Sequence, residues 1–324
     1  MIVKPRNQPL DIHIIKALQR RLPHALSQEP FLKEQLAQFL AGFTGEKELD
    51  YVLEGLSFDF PDSRIIQDLR LAVGANHVQI DTLALTRKGV FLLEVKHLSG
   101  VVRLDTVNCQ MIQLKDGQSR TMKDPFGQMS TAGRKFRNWF TANRIASPPV
   151  FQLLVFTNDH MELDAASATG FVRRWDVIDA MLHQSHGQPD VMDAAEIKEL
   201  GRLLVKHHRP QHPHYQFGKY QSYHAKVNPG VYCPRCGEYI LHKRATGWYC
   251  GDCAKTRQLA ATSALTDFAL TTAPFISCRE AKAFLQERDR HIIYRTLEKT
   301  GLPRTKNNAR VIHYDLRPLY LNLT

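Results

Sequence analysis

The sequence predicts an α/β chain. N-terminal helices precede a core of order αβββαβ, and a cysteine-bound ribbon and a small helical C-terminal domain follow it. Three observations carry this expectation. Apolar residues switch from helical spacing to strand alternation and back between residues 46 and 157. Two tight cysteine pairs, Cys233/Cys236 and Cys250/Cys253, lie thirteen residues apart. The net charge of +11 is segregated: residues 1–203 hold 24 basic and 24 acidic side chains, whereas residues 204–324 hold 19 and 8. A neutral two-thirds beside a basic third points to a division of labour, with the basic part suited to a polyanion or simply to a Lys/Arg-rich surface.

Taken in order, residues 10–42 read as two helices, carrying Ile14, Leu18 and Leu22, then Phe31, Leu32, Leu36, Phe39 and Leu40 at helical spacing. Gly42 and Gly45 are expected to break the pattern. A third helix is expected over about 46–57, with Leu49, Val52, Leu53 and Leu56 on one face. Strands are expected at 64–73, 77–85 and 90–97, the last two joined by a tight Arg-Lys-Gly turn. A hairpin over 101–104 and 108–121 turns at Asp116-Gly117. Pro125 opens an amphipathic helix to about 141, and the apolar run 150–157 reads as a strand buried on both faces. Short helices at about 175–183 and 192–207 close the unit. The expected division is 1–42, 43–206, a histidine- and proline-rich linker 207–230, a ribbon 231–256 and a helical domain 257–324. Neither a secretory leader nor an apolar run of about 18 residues is present, so a cytoplasmic chain with no membrane partner is expected. Cys109 and Cys278 stand apart and read as small apolar residues in or near a core.

Each Cys-x2-Cys pair sets two thiolates on one tight turn, and two such turns supply the four soft ligands that zinc prefers. Gly237 and Gly251 give those turns backbone freedom. With four sulfurs no position is left for a substrate, so Cys233, Cys236, Cys250 and Cys253 are expected to bind one structural Zn2+.

Asp81 interrupts an otherwise apolar strand, and Glu94 and Lys96 lie two residues apart, hence on one face of the next strand. Carboxylates beside an apolar sheet need a partner. A divalent cation between Asp81 and Glu94 would be one, with Lys96 offsetting charge on a phosphodiester. An ion pair on a solvent-facing strand edge suits the same residues.

The order of elements resembles the αβββαβ core of the PD-(D/E)xK nuclease superfamily, a restriction-endonuclease-like fold. More narrowly, residues 42–160 resemble the NERD (nuclease-related) domain. The resemblance is carried by Gly45-Glu46, Ile80-Asp81, the run Gly89 to Lys96 followed by Ser99-Gly100, and Asp124-Pro125-Phe126-Gly127-Gln128. It implies that Asp81 and Glu94 ligate Mg2+ or Mn2+ and that Lys96 is the catalytic lysine. It also makes Glu46 a further acid at the metal or its water, with Glu48 as the competitor, and Gln128 a polar residue of the active site. Asp124 stands where the family often has Asn.

Residues 274–324 begin with a helix that Ser277 and Glu280 would cap. A second helix follows, stopped by Gly301, and then a basic hairpin. This layout resembles a winged helix-turn-helix. In that reading Arg288, Arg290, His291 and Arg295 face DNA, and Arg304, Lys306 and Arg310 contact phosphates from the wing. A basic helical cap packed on the rest of the protein fits the same pattern. The function expected is a Mg2+-dependent nuclease acting on DNA. The alternative is a DNA-binding or regulatory protein that keeps the nuclease fold as a scaffold.

Overall fold

The computed structural model describes residues 1–105, 108–164, 171–213, 220–233, 235–236, 241–244, 247–251, 253–256, 259–306 and 311–323. The chain divides into two compact units. One comprises Met1–Asn7 and Leu40–Pro210, the other Gln8–Phe39 and Gln211–Thr324. The stretch 1–42 is thereby shared between the two. Among the described residues no helix is long and apolar enough to cross a membrane.

The first unit is a mixed α/β fold. Its main sheet has six strands in the order Ile2–Lys4, Arg64–Val73, Asn76–Thr86, Gly89–Lys96, Val150–Phe156, Phe171–Arg173. The three central segments form an antiparallel meander, while both flanks pair in parallel. The tight turn into Gly89–Lys96 needs glycine, because φ of Gly89 is 141° and an added Cβ would press on the Pro149 carbonyl. A second sheet orders Gln118–Lys123, Gln110–Lys115, Val101–Asp105 and Glu162–Leu163. Its turn at Asp116 and Gly117 has positive φ at both residues, 52° and 73°, matching strand twist.

Both faces of the main sheet are covered. On one, Phe136, Trp139 and Phe140 of the helix Pro125–Ala142 join Ile197, Leu200 and Leu204 of Ala194–Lys206 over Ile66, Leu69, Ile80, Leu83 and Leu92. On the other, Leu49, Leu53 and Leu56 meet Phe91, Leu93, Leu153 and Val155. Each large side chain so buried contributes about 1.5–3 kcal/mol.

The expected break at Gly42 and Gly45 does not occur: one 23-residue helix, Pro30–Val52, runs through both. Two glycines cost such a helix only about 1 kcal/mol each. Gly45 has a packing reason, since a Cβ there would collide with His97 Cβ and Thr157 Oγ1. Cys109, expected near a core, is exposed at a turn with φ 52°, whereas Cys278 packs against the core of the second unit.

In the second unit the helices Leu10–Arg21 and Leu259–Thr271 share one apolar core. Arg21 is fully buried there, its Nε donating to Asp267 Oδ2 at 2.9 Å and its Nη1 to the Gly230 carbonyl at 2.9 Å. A three-stranded ribbon, His242–Arg244, Gly247–Cys250 and Ala254–Thr256, carries the later cysteine pair. Beyond Leu259–Thr271 come strand Phe275–Ser277, helices Cys278–Leu285 and Arg290–Glu298, and strands Arg304–Lys306 and Ile312–Asp315. Ile312–Asp315 lies between the other two strands in an antiparallel sheet. The expected cap is present, Ser277 and Glu280 forming a reciprocal capping box, and the structure adds a second at Asp289, which accepts from His291 N–H.

Side chains in the stretch read as a linker are bound into these units. His208 Nδ1 accepts the Arg70 N–H at 3.2 Å within the first unit, and His212 Nδ1 lies 2.8 Å from Tyr320 Oη within the second. His214 and Gly237 lie outside the described residues.

Candidate functional site

The residues singled out in the first unit meet where two strands part. Asn76–Thr86 and Gly89–Lys96 pair as far as Thr82 opposite Leu93 and no further. Asp81 is the next residue on its strand, and its Oδ2 accepts the Val95 N–H at 3.0 Å. The carboxylate thus satisfies a backbone donor that the ladder has released. Glu94 and Lys96 emerge on one face, Lys96 Nζ lying 2.6 Å from Glu94 Oε1 and 3.3 Å from Gln128 Oε1. Their side chains keep 19% and 21% of their exposure, so the pair is reachable from solvent. Gln128 stands in the first turn of Pro125–Ala142. Asp124 caps this turn with both carboxylate oxygens, on Phe126 N–H at 3.0 Å and Gly127 N–H at 2.8 Å. An aspartate here therefore uses both oxygens as acceptors, where an asparagine would have one. An open groove of about 430 Å3 runs beside Gln128, lined also by His77, Lys123 and Lys135.

Burial, together with the charges of Glu94 and Glu46, pushes the Asp81 carboxyl up to about 8, against the pull of the Val95 N–H and Lys96. A carboxyl in such company takes up either a proton or a cation. Glu46 is raised as well, by burial first, opposed by Arg6 and reinforced by Asp68 and Asp50. The structure brings Glu46 rather than Glu48 beside Asp81. Glu48 turns to Arg174 Nη1 at 2.8 Å and His97 Nδ1 at 3.5 Å.

What holds Glu46 is not legible in the sequence. Arg6, its side chain 2% exposed, donates from Nη1 to Glu46 at 2.6 Å, from Nε to Asp50 at 3.1 Å and from Nη2 to Thr82 Oγ1 at 2.7 Å. Its backbone N–H is fixed by Gln67 Oε1 at 2.6 Å. Glu46 and Asp50 are one helical turn apart, which could have flagged a shared cation, but the cation arrives from forty residues upstream. Asp68, across the sheet from Asp81, adopts φ 48° within its strand.

Among the described residues only Cys233, Cys236, Cys250 and Cys253 bring three or more metal-binding atoms within 4.8 Å of one another. The carboxylates of Glu46, Asp81 and Glu94 are neighbours without converging to that degree. The four thiols form a cluster of the kind found in a zinc ribbon. Cys233 and Cys250 are each 1% exposed. Burial raises the Cys233 thiol, but N–H groups of Cys236 and Arg235 and neighbouring sulfurs outweigh it, leaving it lowered to about 7.

In the C-terminal segment Arg288, Arg290, His291 and Arg295 are exposed at or on the helix Arg290–Glu298. Arg304 is paired with Glu298 at 3.0 Å. Lys306 ends the strand Arg304–Lys306, and Arg310 lies outside the described residues.

Residues 41–157 match the family described as the nuclease-related domain, NERD. That span contains Glu46, Asp81, Glu94, Lys96 and Gln128. No curated protein and no solved structure matches the chain.

Proposed function

We propose, from the premise that residues 41–157 form a nuclease-related domain, that the protein is a divalent-metal-dependent nuclease hydrolysing DNA phosphodiester bonds. One observation carries this reading: Asp81, Glu94, Lys96 and Gln128 meet at the point where their strands part. Asp81 and Glu94 would hold Mg2+ or Mn2+. The donor set fits a hard cation, being oxygen-only, and the raised Asp81 carboxyl marks a surplus of negative charge that a cation would relieve. Such an ion, when bound, polarises a phosphate oxygen and makes a coordinated water more acidic.

The chain's own groups do the rest. Lys96 directs its ammonium to the face where Glu94 lies, and there it offsets charge developing on the phosphate. Gln128, fixed by a capped helix start, orients water or the scissile phosphate with its amide. Glu46, clamped by Arg6, adds a further carboxylate near Asp81. The lysines of the neighbouring groove, Lys123 and Lys135, attract the backbone of the substrate. The four cysteines would hold one structural Zn2+, a role that needs a reducing compartment such as the cytoplasm. The basic C-terminal third would hold nucleic acid.

The test is purified protein incubated with plasmid, linear and single-stranded DNA, in Mg2+, Mn2+ or EDTA. Cleavage that needs metal and disappears in Glu94→Ala and Lys96→Ala is expected. Undiminished cleavage in both variants would sink the assignment of this site.

A further inference from the structure

We propose that the groove between the helices Cys278–Leu285 and Arg290–Glu298 and the strand Ile312–Asp315 holds an unpaired nucleotide of a nucleic-acid single strand. The inference rests on the nucleic-acid-holding role given above to the C-terminal third, and it names the form of nucleic acid held.

The groove has a volume of about 790 Å3, within the ~300–1,000 Å3 of sites that enclose small ligands. Its lining carries Arg279, Lys282, Arg290 and His291, all exposed, and among the described residues no carboxylate lines it. The acids near in sequence are engaged in capping or pairing, Glu287 accepting the Asp289 N–H at 3.0 Å. Glu280 caps Ser277, Asp289 caps the next helix, and Glu298 accepts from Tyr314 Oη at 2.7 Å and from Arg304 at 3.0 Å. The lining itself therefore carries basic side chains, which suits phosphate.

Another part of the lining is apolar. Tyr294, Val311 and Ile312 are 46%, 43% and 37% exposed, and all three line the same groove. Large apolar side chains left in water together mark a surface awaiting a partner. A duplex offers its phosphates outward and its base faces inward, so it would satisfy the basic side chains and leave the apolar ones wet. An unpaired nucleotide satisfies both, with its phosphate on the basic side chains and the flat face of its base on Tyr294 and the aliphatic residues.

The experiment uses the full chain carrying Glu94→Ala, without added Mg2+ or Mn2+ and without chelator, so that cleavage cannot intervene and the four-cysteine site keeps its metal, with fluorescence anisotropy on labelled dT12, rU12 and a 12-base-pair duplex. Binding of dT12 at least ten times tighter than the duplex is expected. Tyr294→Ala should weaken dT12 binding about tenfold, close to 1.4 kcal/mol, and leave the duplex unaffected, while Tyr294→Phe keeps the affinity. Arg290→Gln should reduce the salt slope by about one. The rU12 arm distinguishes a ribose strand from a deoxyribose one, and either preference supports the groove if the Tyr294 effect persists. Duplex binding as tight as dT12, with Tyr294→Ala silent, would overturn the groove while leaving the nucleic-acid role standing. Absence of binding by every probe would overturn both.

Discussion

Asp81 Oδ2 accepts the backbone N–H of Val95 at 3.0 Å, Asp81 lying one residue and Val95 two residues beyond the last pair of the ladder that joins their strands. A single carboxylate thus closes the gap in the sheet and lies next to Glu94, the other acid of the candidate metal site. Structure and chemistry can be separated here. In Asp81→Asn the amide oxygen can still accept from Val95, but the charge is gone. Metal-dependent cleavage is expected to fall on the order of 100-fold or more, while the melting temperature does not drop. Activity assays beside differential scanning fluorimetry check this, and a fall of many degrees would make Asp81 a structural residue instead.

Arg6 is the counter-charge on which Glu46 and Asp50 depend. Removing one partner of a buried ion pair costs up to about 3–5 kcal/mol. Because Glu46 and Asp50 retain 24% and 16% of their exposure, about 3 kcal/mol is expected for Arg6→Ala in urea unfolding. Adding Glu46→Gln and Asp50→Asn should recover part of that loss, since the stranded charges are then absent. If the triple variant is as unstable as the single one, packing rather than charge is what Arg6 provides.

The two glycines of the long helix should answer oppositely to the same change. Gly45→Ala brings a methyl group into His97 and Thr157 and should cost about 1–3 kcal/mol. Gly42 has nothing within 4 Å of the place its Cβ would take, so Gly42→Ala should stabilise by up to about 1 kcal/mol. Equal responses in thermal unfolding would mean that Gly45 is not a contact point.

His208 makes stability depend on acidity. Burial first, then Lys4, Arg70 and Arg209, with Asp68 opposing, lower its pKa from an ordinary 6.5 to about 4. Its Nδ1 accepts the Arg70 N–H, which requires the neutral ring. The unfolded chain binds this proton more readily than the folded one, so the contribution is full above about pH 6.5 and is lost as pH falls towards 4. His208→Gln should flatten the decline in melting temperature between those limits and change little at pH 8. An unaltered acid limb would remove His208 as its source.

What could be read without coordinates was whatever is recorded locally. The Pro125 helix start, the Asp116-Gly117 turn, the Ser277 and Glu280 cap and the cysteine spacing each depend on residues a few positions apart. Alternation placed the strands of Asp81 and of Glu94 with Lys96, so their meeting followed once the strands were taken as neighbours. What escaped depends on distance along the chain. Nothing near Arg6 marks it as the partner of Glu46, and the short strand Ile2–Lys4 that carries its segment is too brief for periodicity. Gly45 was taken for a stop because propensity alone speaks there, and the close approach of His97 and Thr157 is invisible in one dimension. Nothing in the sequence around Asp68 signals that its strand adopts φ 48° opposite Asp81.

The helix Leu10–Arg21 shares its core with Leu259–Thr271, a helix near the other end of the chain. On the ribosome that matters. At about 5–20 residues per second, Ile14, Ile15 and Leu18 wait on the order of tens of seconds for their partner, while the strands and helices of residues 40–210 are made in between. A nascent chain of this kind displays an unclothed apolar helix for most of its synthesis, and is therefore an expected client of holding chaperones. A truncation after residue 210 would leave that helix permanently bare and prone to aggregate, however well residues 40–210 had folded.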